Sequence, residues 1–431
     1  MVQISSFPVE LIQSIFILAT ITCPNASAPT YYIDAADHRR HLTTSLTISY
    51  VCSEWRSIAL STGQLWSRVI VLLSKSTTRE MKILEWHLTR AGGCPLDVTV
   101  DSCGWYPRHS PTPPILWGLI RPRFPQCRSL SLPWVTQDLH NIIFPLRGSF
   151  PYLEILDVWF RDAHPSDLAA SIFDDPTSTP SLESLKLTNP HVRMLHNITL
   201  PMLKHFYFGY PRRTDIHEIY DLLRSCTSLT NLSFTSSRLG EDMPYPLSPV
   251  TLPALSSLSI LDCDLDRVIR PSSLRYLECW GYRGAIDHNN LSSIRDLTLS
   301  FSASATSFAQ NWLPPAWMRG VEVLTMIGTP TGIPGCAALC ALEPFHPDLG
   351  VSRKVSYFPC LKSLVIDVQV FLFGPTQARD TVRDLNSILA ARVDLRARVS
   401  GRLIPEGEIE LSDLLDRFGS RVSFLPVVAE E

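Results

Sequence analysis

The chain has 431 residues with 38 Lys and Arg against 41 Asp and Glu, so a formal charge of -3 offers no field to attract nucleic acid or another polyanion. Apolar residues make up 45% and charged residues 18%, which excludes a disordered tail and leaves enough apolar mass for a large core. Proline is frequent at 34 and glycine modest at 19, a balance that suits many short elements divided by rigid turns.

The 11 cysteines are odd in number and scattered, and no C-x-x-C pair occurs. Neither a zinc site nor a disulfide framework is expected, and a reducing compartment, cytoplasmic or nuclear, follows. Leu11 to Thr22 is apolar and Ala26-Ser27-Ala28 imitates a signal cleavage site, but no Lys or Arg precedes Arg39 and Glu10 stands directly before the run. No window reaches the roughly 18 to 20 apolar residues of a membrane span, so a soluble protein without a membrane partner is expected.

In chain order, Phe7-Pro8-Val9-Glu10-Leu11-Ile12 opens a first helix, with Pro8 in the first turn and Ile15, Phe16 and Ala19 continuing the helical spacing. Residues 22 to 41 show no sustained period and read as a loop. Ile48, Val51, Cys52, Trp55, Ile58 and Ala59 recur at the spacing of a second amphipathic helix, which Thr62-Gly63 ends. Leu65-Trp66 and Val69-Ile70-Val71-Leu72 follow as a compact apolar patch.

These residues resemble an F-box, a small helical module. The family pattern runs Leu-Pro-x-Glu-Leu/Ile, a spacer, Val-Cys-x-x-Trp-Arg and a terminal Leu-Trp. Here it is Phe7-Pro8-Val9-Glu10-Leu11-Ile12, then Val51-Cys52-Ser53-Glu54-Trp55-Arg56, then Gln64-Leu65-Trp66-Ser67. Phe7 replaces the usual Leu, and the spacer is enlarged at about 22–41. The alternative is that these are two core helices of a larger helical domain.

Met81, Ile83, Leu84, Trp86, His87 and Leu88 suggest a further helix, and Leu96, Val98 and Val100 alternate like a strand. An internal repeat then dominates. An apolar residue, two others, an apolar residue, one other and an apolar residue recur at 127/130/132, 153/156/158, 182/185/187, 203/206/208, 229/232/234, 255/258/260, 274/277/279, 294/297/299, 321/324/326 and 361/364/366. Most steps lie in or close to the 20 to 29 residues of leucine-rich repeats. Alternation along each short strand sends positions four and six to a core and positions three, five and seven outward. The competing reading is a β-rich domain with coincidental runs. Thr376 to Arg398, with Val382, Leu385, Ile388, Leu389 and Val393 at helical spacing, reads as a terminal amphipathic helix.

The expected fold is therefore α/β: an F-box module over 1–75, an irregular leucine-rich-repeat-like solenoid over 76–370 and a helical cap over 371–431. No Gly-rich phosphate loop, nucleophile elbow, H-E-x-x-H helix or paired cysteine ligands occur, so no catalytic residue, metal or cofactor is expected. Cys336 and Cys340 read as small buried residues.

An F-box followed by such repeats resembles the substrate-receptor subunits of SCF-type cullin ubiquitin ligases. The resemblance implies docking on a Skp-type adaptor, and through it on a cullin-RING ligase, with a protein substrate of unknown identity held on the repeats. It places adaptor contacts at Pro8, Leu11, Ile12, Ile15, Val51, Trp55 and Trp66, of which Trp55 and Trp66 also suit the module's own core. Outward strand positions put substrate contacts at Asp157, Trp159, Tyr276, Glu278, Trp280 and Asp296. The alternative function is a repeat-based interaction protein whose F-box-like start is a helical cap unrelated to ubiquitin.

Overall fold

The computed structural model describes residues 7–21, 44–72, 78–101, 118–135, 146, 150–160, 172–173, 179–190, 192–195, 198–210, 216–239, 250–263, 269–280, 293–301, 319–328, 359–368, 386, 389–390, 394–401 and 415–426. The expected loop at 22–41, Cys336 and Cys340 lie outside them. The chain divides into two compact units, Met1–Cys226 and Thr227–Glu431.

The first unit opens with helix α1 (Val9–Ile21), a helical segment at 44–50 and helix α2 (Ser53–Ser61). The Pro8 carbonyl accepts from the Leu11 and Ile12 amides at 3.0 and 3.2 Å, so proline starts α1 where its missing N–H costs nothing. The single helix expected across 48–59 is instead broken at Cys52. Its backbone is extended, and its Sγ accepts from the Trp55 amide at 3.4 Å, satisfying an orphan donor at the start of α2. A tight turn, Gly63–Trp66, leads into strand β1 (Arg68–Leu72). Helix α3 (Thr78–Ala91) ends at Gly92, whose φ of 58° is the left-handed conformation that closes a helix.

Strands β2 (Leu96–Asp101), β3 (Cys127–Val135), β4 (Ile155–Phe160), β5 (Ser184–Thr188) and β6 (His205–Gly209) follow, each parallel to the one before it from β1 onward. Helix α3 is the crossover between β1 and β2, and helix α4 (Ile216–Ser225) closes the unit. The sheet thus begins at Arg68, inside the span expected to be an F-box module alone.

In the second unit, β7 (Asn231–Leu239), β9 (Ser257–Cys263), β11 (Tyr276–Trp280), β12 (Asp296–Phe301), β13 (Val323–Gly328) and β14 (Ser363–Val368) again pair in parallel in that order. Between them in sequence, β8 (Val250–Leu252) and β10 (Ile269–Pro271) form a separate parallel pair. The region expected to be a helical cap instead extends the sheet with β15 (Arg396–Gly401) and β16 (Val422–Pro426). Residues 396–398, placed by their periodicity in a terminal helix, belong to β15. Leu395, Ala397 and Val399 alternate with polar residues there, a period of two that the open edge of β14 can pair with. Of the expected 376–398 helix, residues 386 and 389–390 are helical, while 376–385, 387–388 and 391–393 lie outside the described residues.

The register carries the repeat. In the first unit Leu130, Leu156, Leu185 and Phe206 are aligned neighbours, as are Leu132, Val158, Leu187 and Phe208. In the second, Leu232, Leu258, Leu277, Leu297, Leu324 and Leu364 form one column. Every described side chain at the three apolar positions of the ten sequence repeats is buried, at 5% exposure or less. Burying each such side chain contributes roughly 1.5 to 3 kcal/mol, and a unit too small to do so alone does it by stacking.

Turns repeat with the strands. The amides of residues two and three donate together to the carbonyl of residue two in the neighbouring repeat, as Lys204 and His205 do to Glu183 at 2.8 and 2.9 Å, and Lys362 and Ser363 to Glu322 at 2.8 and 3.0 Å. Serine hydroxyls brace the same corner: Ser181 Oγ donates to the Pro151 carbonyl at 2.9 Å, Ser273 to Pro253 at 2.8 Å and Ser293 to Leu274 at 2.7 Å. A second backbone ladder links the connecting segments of the first unit, from the Leu146 amide to the Ile172 carbonyl and from the Ile172 amide to the Met194 carbonyl, with all three side chains buried.

Candidate interaction surfaces

Helix α1 is apolar around most of its circumference. Ile12 and Phe16, one turn apart, are buried, and the Phe16 ring meets Trp55 at 4.9 Å between centroids. Leu11, Ile15 and Leu18, on the neighbouring stripe, are 52%, 58% and 57% exposed. Phe7, Pro8 and Val9 are also exposed, and so are Tyr50, Val51 and Leu60 around the break before α2. The Arg56 guanidinium lies 5.7 Å from the Tyr50 ring centroid and donates to the Ser49 carbonyl at 3.0 Å, fixing the break. Helix α1 therefore carries one apolar stripe packed into the fold and a second exposed to solvent.

The seven positions expected to meet an adaptor separate by burial. Pro8, Leu11, Ile15 and Val51 are exposed, and Trp55 is half-buried against Phe16. Ile12 and Trp66 are interior and form no surface, because the module needs them to hold its own helices. Trp66 Nε1–H donates to the Ala59 carbonyl at 2.8 Å, and its ring meets Trp86 edge-on at 4.7 Å and His87 at 5.2 Å. The Arg90 guanidinium stacks over Trp86 at 3.8 Å, where burial lowers its pKa. Sequence patterning missed Phe7, Val9, Leu18, Tyr50 and Leu60; the signal was present in α1, whose apolar residues exceed one face.

On the outward side of the first unit's sheet, Asp157, Lys186 and Tyr207 are aligned neighbours on β4, β5 and β6. Lys186 Nζ donates to Asp157 at 3.1 Å and lies 5.8 Å from the Tyr207 ring centroid. Burial raises the Asp157 pKa, and Lys186 offsets this only in part. The Tyr207 ring rests on Gly209, where a Cβ would stand 2.7 Å from the phenol oxygen. Trp159 is half-buried two residues beyond Asp157. Lys186 and Tyr207 were not among the expected site residues, because only the strand register brings them beside Asp157.

In the second unit Tyr276, Glu278 and Asp296 are half-buried on the outward side of β11 and β12, as the alternation requires. The Tyr276 hydroxyl lies 3.4 Å from both Glu278 Oε2 and Thr298 Oγ1. Burial raises its pKa, with the two carboxylates adding to the rise, so it is a neutral donor. Trp280 lies in β11, paired with Leu261 and Ser300; its side chain lies outside the described residues.

Burial drives the thiols of Cys127 and Cys226 up to about 12 and about 11, which makes them packing groups and not nucleophiles. Among the described residues no three His, Cys, Asp or Glu side chains are grouped to hold a metal ion, and no helix is long and apolar enough to cross a membrane. No protein-family model and no curated protein sequence matches the chain.

Proposed function

We propose that this chain is a substrate-receptor subunit of an SCF-type cullin ubiquitin ligase: an F-box module that docks on a Skp-type adaptor, followed by a leucine-rich-repeat-like solenoid that captures the protein to be ubiquitinated. The receptor contributes proximity, and ligase partners supply the chemistry. The observation that carries this reading is the pair of stripes on α1, with Ile12 and Phe16 inside and Leu11, Ile15 and Leu18 outside. An amphipathic helix obtains affinity from such anchors laid in a partner's groove. The long run of parallel, in-register strands supports the second half of the reading, since stacked repeats give an extended surface for a protein partner.

One observation favours the rival reading, a helical cap with no link to ubiquitin. Trp66 and β1 tie the helices into the first unit's sheet, as a cap would be tied. A cap that only closes a core has no use for the exposed stripe on α1.

Titration calorimetry of the purified chain with a Skp-type adaptor separates the two. Leu11→Asp with Ile15→Asp changes exposed residues only, so the double variant folds and loses at least a hundredfold in affinity. Trp66→Ala is unsuitable, since emptying a buried indole site costs about 3 to 5 kcal/mol and unfolds the module. A folded double variant that binds at wild-type affinity rejects the docking surface, and a wild-type chain with no measurable affinity rejects the F-box.

A further inference from the structure

In the second unit Glu322, Lys362 and Arg295, each at the second position of its repeat, form one ion-pair cluster. Glu322 accepts from Lys362 Nζ at 2.6 Å and lies 3.6 Å from Arg295 Nε. Arg421 donates to the carbonyls of Leu395 at 3.2 Å and Leu389 at 2.9 Å. At the outward strand positions Asp296 sits beside Tyr276 with no ion pair among the described residues, Glu278 lies 3.4 Å from the Tyr276 hydroxyl, and Arg396 and Arg398 are exposed, their guanidinium groups with neither hydrogen bond nor ion pair there.

The register puts these opposite charges at the two ends of the same two columns. Asp296, Val323, Ser363 and Arg396 are successive neighbours across β12 to β15, and so are Glu278, Thr298, Thr325, Val365 and Arg398 across β11 to β15. At about 4.8 Å between strands, the ends stand roughly 14 to 19 Å apart. Short hydroxyl and β-branched side chains separate them: Thr298 is buried beside the Tyr276 hydroxyl, and Val323, Thr325, Ser363 and Val365 are half-buried, a floor without long side chains for a polypeptide to lie across.

The geometry points to a docking strip for an extended, dipolar segment of the captured protein, crossing β11 to β15 with a Lys or Arg over Glu278 and Asp296 and an Asp or Glu over Arg396 and Arg398. An extended chain rises about 3.3 Å per residue, so the two charges of the segment are about four to six residues apart. A polyanion does not fit, because the acidic end repels it, and a uniformly basic peptide is repelled at the arginines. Each end therefore rejects the wrong partner as well as attracting the right one. The inference rests on the proposed role of the repeat face in capture and not on adaptor docking.

The test is a set of fluorescent synthetic peptides carrying a Lys-Lys pair and a Glu-Glu pair at graded separations, with all-Lys and all-Glu controls, titrated against the full chain. Affinity peaks at a separation of about four to six residues, at least tenfold above either control. Glu278→Lys with Asp296→Lys, or Arg396→Glu with Arg398→Glu, removes the peak; combining all four restores it, since the segment then lies in the opposite direction. That rescue distinguishes a charge strip from damage to the fold. A flat dependence on separation, or controls that bind equally well, overturns the strip. Adaptor titration on the same proteins keeps the two readings apart: a peptide peak without adaptor binding rejects the ligase assignment alone, and adaptor binding without a peak rejects the strip alone.

Discussion

Asp157 shows how a repeat surface handles a carboxylate. It is close enough to Lys186 for an ion pair, yet burial outweighs the attraction and raises its pKa from the ordinary value. The folded chain therefore holds the Asp157 proton more tightly than the unfolded chain does. The stability this group contributes is complete at low pH and is lost as pH rises through the raised value. Asp157→Asn removes that loss while keeping a hydrogen-bonding oxygen for Lys186. Denaturant midpoints of the variant should equal or exceed wild type at neutral pH, and the difference should vanish below the ordinary carboxylate range. A variant weaker at neutral pH and equal in acid would show that the ion pair outweighs its burial. The same residue marks what sequence conveys: alternation along β4 is enough to turn Asp157 outward, but nothing in a one-dimensional pattern names Lys186, 29 positions away, as its neighbour.

At the scale of elements, strands were legible and helix breaks were not. Leu-x-x-Leu-x-Leu spacing finds strands because period-two alternation on a parallel sheet admits few other arrangements, and the copies occupy strands in register within each unit, four in the first and six in the second. The break at Cys52 was hidden because Val51, Cys52 and Trp55 keep helical spacing across it, and a cysteine is not a usual cap. β15 was hidden by neighbouring helical periodicity, which its pairing with β14 overrides. The register makes a prediction of its own. Deleting residues 274–293 removes β11 whole and leaves Ile294 where Leu274 stood, so β12 should pair with β9. The shortened chain should fold cooperatively, with lower stability and amide protection retained in β12 to β14, and it should lose the peptide peak with Glu278. Hydrogen exchange that showed β12 to β14 unprotected would contradict the register.

For the molecule as a whole, the proposed activity is a matter of placement: an apolar helix face at one point of the chain, a polar strand face at another, and no chemistry required of either. Composition and spacing revealed both elements, and the resemblance to an F-box supplied the role of the first. They did not reveal which apolar residues face out, since Ile12 and Ile15 are alike in sequence and differ only in what packs against them. Nor did they reveal Arg396 and Arg398, whose alignment with Asp296 and Glu278 arises only from the register across several strands. The most direct measurement of the central claim is affinity purification of the full chain from cells with the proteasome blocked, beside the Leu11→Asp/Ile15→Asp variant, with co-purifying proteins identified by mass spectrometry. The account predicts that the wild-type chain brings down a Skp-type adaptor, a cullin and a target protein, and that the variant keeps the target and loses the adaptor and cullin. Recovery of a target with neither adaptor nor cullin on the wild-type chain would contradict it.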